Sequence, residues 1–323
     1  MTVVSWPDAV EPVGLSTLPT PLEPAPRLAA NLGLAGEDLW IKRDDLTGLG
    51  GGGNKVRKLQ YTCADALRRG ATTLVTSGAT QSNHARLTSA AAARLNLRCL
   101  LVLEGHPPAV VQGNLVLDHL AGATLIWAGE VGPHELRDRV EAAAREIRDH
   151  GEVPYIIPFG GSNSLAARGY VDAAAELEAQ LPGVDRVVVT VGSGGTMAGL
   201  VARLGTQRVV GIDTGAVPDV AAVVRDIVGG MSATAAELNH LQIRRDQIGD
   251  GYATLTPAAR RAMVLAARTE GLFLDPTYTA RALAGLIELV ADGHITTGQR
   301  TVFMHTGGLP GLFGHPQLTD LML

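Results

Sequence analysis

Short apolar runs alternate with longer, alanine-rich segments of helical period along most of the chain, and this alternation limits the fold more than any other feature. Candidate strands are Leu39–Lys42, Thr72–Thr76, Cys99–Leu103, Thr124–Trp127, Pro154–Ile157, Arg186–Val191, Arg208–Ile212 and Thr301–Met304. Helical patterns cover Lys55–Arg69, Ser82–Leu95, Val111–Ala121, His134–His150, Leu165–Gln180, Gly195–Leu204, Pro218–Val228, Pro257–Glu270 and Thr279–Val290. A Pro- and Leu-rich N-terminal stretch with a short helix near Arg27–Leu32 precedes them. Strand followed by helix, repeated, implies parallel sheets covered on both faces. The expected fold class is α/β, with two domains, each an open, mostly parallel twisted sheet flanked by helices. Residues 56–158 read as a smaller α/β domain, while 1–55 and 159–323 form the larger one, the N-terminal strand joining the C-terminal half. Ligands of such folds bind in the cleft where strand C-ends meet.

Composition narrows the class further. Hydrophobic residues are 46% and charged residues 18% of the chain, a globular balance. With a net charge of −5 and no Lys/Arg stripe interleaved with aromatics, a nucleic-acid partner is not expected. Two cysteines, Cys63 and Cys99, cannot frame a disulfide scaffold and read as buried thiols. The segment MTVVSWPDAVEP lacks a basic part followed by an apolar one, and no apolar run is long enough for a bilayer. A cytoplasmic protein without a membrane partner is the expectation. Nine histidines show no metal-ligand pairing, and GxSxG is absent.

Three glycine- or hydroxyl-rich turns carry the chemistry. Gly50-Gly51-Gly52-Gly53-Asn54-Lys55 removes every Cβ just before a helix, with Asn54 as its expected N-cap and Lys55 in its first turn. Lys58 follows by three on the same face, and a neighbouring cation lowers a lysine pKa, as an imine-forming amine needs. A flexible loop with a solvated lysine is the other reading. Thr76–His84 runs from strand to helix and offers an anion site at the helix N-terminus, where Ser82 or Asn83 also suits plain capping. Gly192-Ser193-Gly194-Gly195-Thr196, after an unbroken apolar strand, reads as a phosphate cradle without Walker or dinucleotide spacing. Tyr278 before a helix, Thr306 after a strand and Tyr252 in GDGY are further candidates.

Taken together, GGGGNKVRKLQY, TSGATQSNHARLTSAAAA, VGSGGTMAGL, LDPTYTARALAGL and HTGGLPGLF resemble the D-cysteine desulfhydrase and 1-aminocyclopropane-1-carboxylate deaminase family. These are pyridoxal 5′-phosphate (PLP) enzymes of fold type II, tryptophan synthase β-like, and the likeness runs from about Leu18 to Phe313. The resemblance implies PLP in the cleft between the domains, carried by Lys55 as a Schiff base, with Lys58 near its phosphate. It also implies a phosphate loop of Gly192, Ser193, Gly194, Gly195 and Thr196, and Thr306 facing the ring nitrogen. Ser82, Asn83 and His84 would bind the substrate carboxylate, Asn83 the ring hydroxyl as well, while Tyr252 and Tyr278 match the active-site tyrosines. Lys55, Ser82, Tyr278 and Tyr252 are the implied catalytic set. His84 and Thr279 follow the desulfhydrase pattern, since the cyclopropane deaminases resemble SNQ at the turn and carry Glu after the second tyrosine. Leu87, in place of a polar residue, and the GDGY context depart from the family.

The implied activity is a lyase β-elimination turning D-cysteine into pyruvate, sulfide and ammonia, by a homodimer. A 1-aminocyclopropane-1-carboxylate deaminase and an L-cysteate sulfo-lyase, the latter with Arg86 as its sulfonate cation, are the nearest alternatives. A non-catalytic α/β protein binding a phosphate ligand is the alternative of a different class.

Overall fold

In the computed structural model, which describes residues 10–231, 238 and 240–321, the strands form two sheets. The first nine residues, part of the segment read as lacking a leader, lie outside the described residues. In chain order the strands are β1 (Leu22–Pro24), β2 (Leu39–Lys42), β3 (Thr73–Gly78), β4 (Arg98–Leu103), β5 (Thr124–Trp127), β6 (Pro154–Ile156), β7 (Arg186–Val191), β8 (Val209–Asp213), β9 (Gln242–Arg244) and β10 (Thr301–Met304). The helices are α1 (Pro26–Asn31), α2 (Lys55–Arg68), α3 (Asn83–Arg94), α4 (Asn114–Leu120), α5 (Pro133–Asp149), α6 (Ser164–Gln180), α7 (Gly195–Leu204), α8 (Val220–Gly229), α9 (Pro257–Glu270), α10 (Thr279–Ala291) and α11 (Leu309–Leu312).

One sheet has the order β1-β2-β10-β7-β8-β9 and the other β5-β4-β3-β6. Every pairing is parallel except β1 with β2. The fold is therefore the α/β class expected, and β2 does join the C-terminal half. Side chains alternate across each sheet, as a period of two requires. Val188 and Phe303 face one core while Val187, Val189, Val302 and Met304 face the other. In the smaller sheet Leu74 and Val75 divide in the same way. All eight expected strands are present, with ends shifted by a residue or two. The two that escaped notice, β1 and β9, are three-residue edge strands whose half-exposed Leu, Glu, Gln and Arg give no apolar run.

Three helix boundaries correct the expectation. The helix expected from Val111 starts at Asn114, because Gly113 adopts φ 59°. The helix expected from Pro218 starts at Val220, where Asp219 accepts a capping bond from the Ala222 amide at 2.9 Å. Asn54 does not cap α2. Its backbone is helical and its side-chain amide donates to Thr196 Oγ1 at 3.0 Å instead.

The start of α2 is held by a buried ion network. Arg57 donates to Asp44 and Glu176 at 2.9–3.0 Å, Tyr170 donates to Asp44 at 2.5 Å, and Lys42 bonds Glu176. This ties β2, α2 and α6 together. Helices α6 and α7 meet through Gly199, where a Cβ would lie 2.3 Å from the Ala167 carbonyl oxygen and 2.5 Å from Tyr170 Cβ. Among the described residues no helix is long and apolar enough to cross a membrane. Gly199→Ala is expected to force these helices apart and cost about 1–3 kcal/mol, read as a lower midpoint in thermal or urea unfolding.

Candidate active site

The C-ends of β3, β7 and β10 deliver three turns to one cavity. Its walls include Lys55, Ser82, Asn83, His84, Gly192 to Thr196, Tyr252, Tyr278 and Thr306. Residues far apart in the chain are thus brought together around one cavity. Lys58 stands behind that wall, its amine donating to the Gly160 carbonyl at 2.6 Å and to Ser162 Oγ at 2.8 Å.

The glycine turn is forced into shape by its surroundings. Gly52 has φ 72°, and a Cβ there would lie 1.9 Å from the Asp45 carbonyl oxygen. Thr47 and Arg86 then hold the turn. The Gly53 amide donates to Thr47 Oγ1 at 2.8 Å, while Arg86 Nη1 donates to the carbonyls of Gly50 and Gly52 at 2.5 and 2.9 Å. The apolar Leu87 fits because it rests against this turn, 3.5 Å from where a Gly53 Cβ would be. Arg86 is thus spent on backbone carbonyls and is absent from the cavity wall, which removes the cation proposed for a sulfonate.

Lys58 is buried, while Lys55 is half-buried on the cavity wall, and the two amines are close enough to bear on each other's protonation. Burial holds the Lys55 amine down at about 8. The direction is the one expected, but the cause is desolvation rather than Lys58. Lys58 is depressed well below the ordinary lysine range, first by burial and then by the charge of Lys55. Among the described residues no carboxylate forms an ion pair with either amine.

The turn that ends in Ser82 begins α3. Ser82 Oγ accepts from the Ala85 amide at 3.1 Å, so this residue caps the helix while facing the cavity. His84 is neutral, its pKa pushed well down by burial and by the two lysines. Its tautomer follows from its neighbour. Thr76 Oγ1 gives its only proton to the Ile157 carbonyl at 2.8 Å, so His84 Nε2–H donates to Thr76 at 2.9 Å. That leaves Nδ1 a buried acceptor with no hydrogen-bond partner.

Tyr252 and Tyr278 bond through their hydroxyls, with rings edge to face at 5.8 Å. Burial raises both, Tyr252 to about 12 and Tyr278 well above its ordinary value. Two phenols hold two protons and their mutual bond uses one, so the other remains to be donated. Tyr252 is held in place through Arg281, which donates to the carbonyls of Gly251 and Thr254 at 2.6 Å and of Thr214 at 2.8 Å.

Sequence reasoning passed over Ser162. Its hydroxyl meets Lys58 and, at 2.8 Å, Ser193 Oγ, and it accepts from the Gly195 amide at 3.2 Å. The signal was available, because Gly160-Gly161-Ser162-Asn163 lies between β6 and α6, as the three noted turns lie between strand and helix or before one.

A family model described as "Pyridoxal-phosphate dependent enzyme" matches residues 13–307. The chain belongs to that family. A D-cysteine desulfhydrase of Klebsiella pneumoniae (strain 342) is 39% identical over 319 residues, covering 93% of this chain and 95% of the relative. A putative 1-aminocyclopropane-1-carboxylate deaminase of Pyrococcus abyssi is also 39% identical, over 311 residues, covering 91% and 90%. Among solved structures, an ACC deaminase homologue superposes with a TM-score of 0.86 at 35% identity, covering 96% of this chain and 95% of its own. A processed threonine deaminase from Solanum lycopersicum, at 18% identity and TM-score 0.66, covers 94% and 82% and shares the fold.

The protein is therefore a PLP-dependent enzyme, and the non-catalytic alternative falls away. The residues present fit the cofactor. Two amines, Lys55 on the cavity wall and Lys58 behind it, have no carboxylate ion-paired to them among the described residues and lie beside the glycine cradle at the start of α7, where a phosphate dianion would supply the missing negative charge. A Cβ at Gly195 would come within 3.2 Å of Lys58 Nζ and 2.7 Å of Ser162 Oγ, so glycine keeps that approach open.

The depressed Lys55 has a measurable consequence in the cofactor-free protein. The folded chain binds fewer protons than the unfolded one between about 8 and the ordinary lysine value of 10.5, so this group's contribution to stability rises with pH through that window. Lys55→Met should stabilise the cofactor-free protein at pH 7 by about 1–3 kcal/mol in denaturant titrations, with the gain fading as pH approaches 10.5.

Proposed function

We propose that this enzyme carries out a β-elimination on a small amino acid, converting D-cysteine to pyruvate, sulfide and ammonia. One observation carries the proposal: an amine held near pKa 8 and a protonated tyrosine pair line the same cavity. Removal of one proton and delivery of another are what an elimination with a poor leaving group requires. The relatives named D-cysteine desulfhydrase support this reading, as do His84 in the cavity wall and Thr279 after the second tyrosine.

In this proposal Lys58, Ser193, Thr196 and the backbone at Gly192, Gly194 and Gly195 hold the phosphate. Thr306 offers the ring nitrogen a neutral hydroxyl, which does not force its protonation as a carboxylate would. Ser82, Asn83 and the first turn of α3 take the substrate carboxylate, and His84 contributes shape and a neutral acceptor rather than charge. Bound PLP supplies an aldehyde for the lysine or substrate amine and an electron sink that acidifies the α-carbon. Lys55 holds the cofactor, and its freed amine takes the α-proton. The pair left from that C–H bond forms the Cα–Cβ double bond as the C–S bond breaks, and Tyr278, steadied by Tyr252, protonates the departing sulfur. The same proposal assigns 1–55 and 159–323 to the larger domain and 56–158 to the smaller, with the enzyme acting as a cytoplasmic homodimer.

Purified enzyme given D-cysteine should release sulfide and pyruvate, with L-cysteine turned over more slowly. Release of 2-oxobutyrate from 1-aminocyclopropane-1-carboxylate, without sulfide from D-cysteine, would replace this reading with deamination. Lys55→Ala should abolish both turnover and the visible absorption of bound PLP. In a separate prediction, Tyr278→Phe should keep that absorption and lower kcat on D-cysteine by about a hundredfold or more.

A further inference from the structure

Asn83 lines the cavity, but the amide of an asparagine can present either a donor or an acceptor to what it meets. A chain of bonds running back to a guanidinium settles which. Arg86 is fully buried and can only donate; its Nε reaches Asn114 Oδ1 at 3.1 Å. That contact obliges Asn114 to turn its oxygen to Arg86 and its NH2 the other way. Asn114 Nδ2 then donates to the Gln81 carbonyl at 2.9 Å and to Asn83 Oδ1 at 3.0 Å. Arg86 Nη2 adds a longer donation to the same Asn83 oxygen, at 3.5 Å. With its oxygen taken, Asn83 has only its NH2 left for the cavity. The backbone is clamped in the same sense, since the Asn114 amide donates to Gln81 Oε1 at 2.8 Å. Asn114 itself is fully buried and does not line the cavity.

We propose that Asn114, oriented by Arg86, is a positioning residue that fixes the Asn83 amide with its donor toward the ligand, so that this point of the site accepts only an acceptor oxygen. The inference rests on the assignment of Asn83 to cofactor and substrate given above. Because Arg86 also holds the carbonyls of Gly50 and Gly52, one guanidinium sets both the polarity of Asn83 and the turn that leads to Lys55.

Two variants separate polarity from mere packing. Asn114→Asp keeps a partner for Arg86 as a neutralising ion pair, but offers acceptors alone, so Asn83 must turn over and show its oxygen to the cavity. Asn114→Leu removes every side-chain bond without imposing an orientation. Each variant would be followed by PLP titration of the cofactor-free protein, by the visible spectrum, by KM for D-cysteine and by melting temperature. Asn114→Asp is expected to weaken PLP binding or raise KM by about tenfold or more, and Asn114→Leu by less, although Asn114→Leu melts lower. A weaker PLP affinity with a shifted band assigns the acceptor oxygen to the cofactor, and a raised KM alone assigns it to the substrate carboxylate. An Asn114→Asp enzyme with unchanged affinity, band and KM overturns the inference, as does Asn114→Leu equalling or exceeding it on the ligand measurements. Should Asn114→Leu fail to fold, Asn114→Asp decides by itself. If wild-type enzyme releases no sulfide from D-cysteine, the assigned reaction fails while the PLP titration still judges Asn114.

Discussion

Two amines set close together at the start of α2, one buried and one half-buried on the cavity wall, with no carboxylate ion-paired to either among the described residues, impose the demand that the rest of this molecule answers. Desolvating an ammonium is expensive, and a second positive charge adds to the cost. The chain could relieve this with an acid, and it has acids close by. Asp44 and Glu176 lie on the far side of α2, where Arg57, Lys42 and Tyr170 claim them. Helix α2 is thereby pinned by a balanced ion network on one flank and presents unbalanced amines on the other. A ligand that brings its own negative charge completes the site.

The uncharged polar groups around the cavity are set with similar definiteness. His84 is fixed as the neutral Nε2–H tautomer by a threonine whose own proton is committed elsewhere. The two tyrosines share one proton between them and keep one for delivery. In both cases the direction of a hydrogen bond follows from counting protons on neighbours. Ser82 shows that a structural and a ligand-facing role need not compete, since the oxygen that caps α3 is on the cavity wall.

Much of this was legible in the chain. Buried parallel strands such as Val187–Val191 are nearly continuous apolar runs, and that one is followed by a turn whose small residues announce a close approach. What stayed hidden depended on partners supplied by distant segments. Nothing local distinguishes Asn54, which looks like a cap, from an asparagine reaching across to Thr196. Arg86 looks like a free cation on a helix, yet it is consumed by carbonyls of the glycine turn. The edge strands β1 and β9 are too short and too polar to leave a pattern. Tyr252 sits in a loop between Gly251 and an arginine contact that the sequence places thirty residues on.

The register of the larger sheet has a bearing on how the chain comes off the ribosome. Leu39 on β2 pairs with Thr301 on β10, and β10 in turn lies against β7. An early-made strand must therefore wait, with one edge open, until nearly the last segment has emerged. Meanwhile the four strands from Thr73 to Ile156 are synthesised consecutively and can close upon each other first. Through much of the second half of synthesis a nascent chain would carry a finished smaller sheet beside a half-made larger one, and the pocket is complete only once β10 has joined β2.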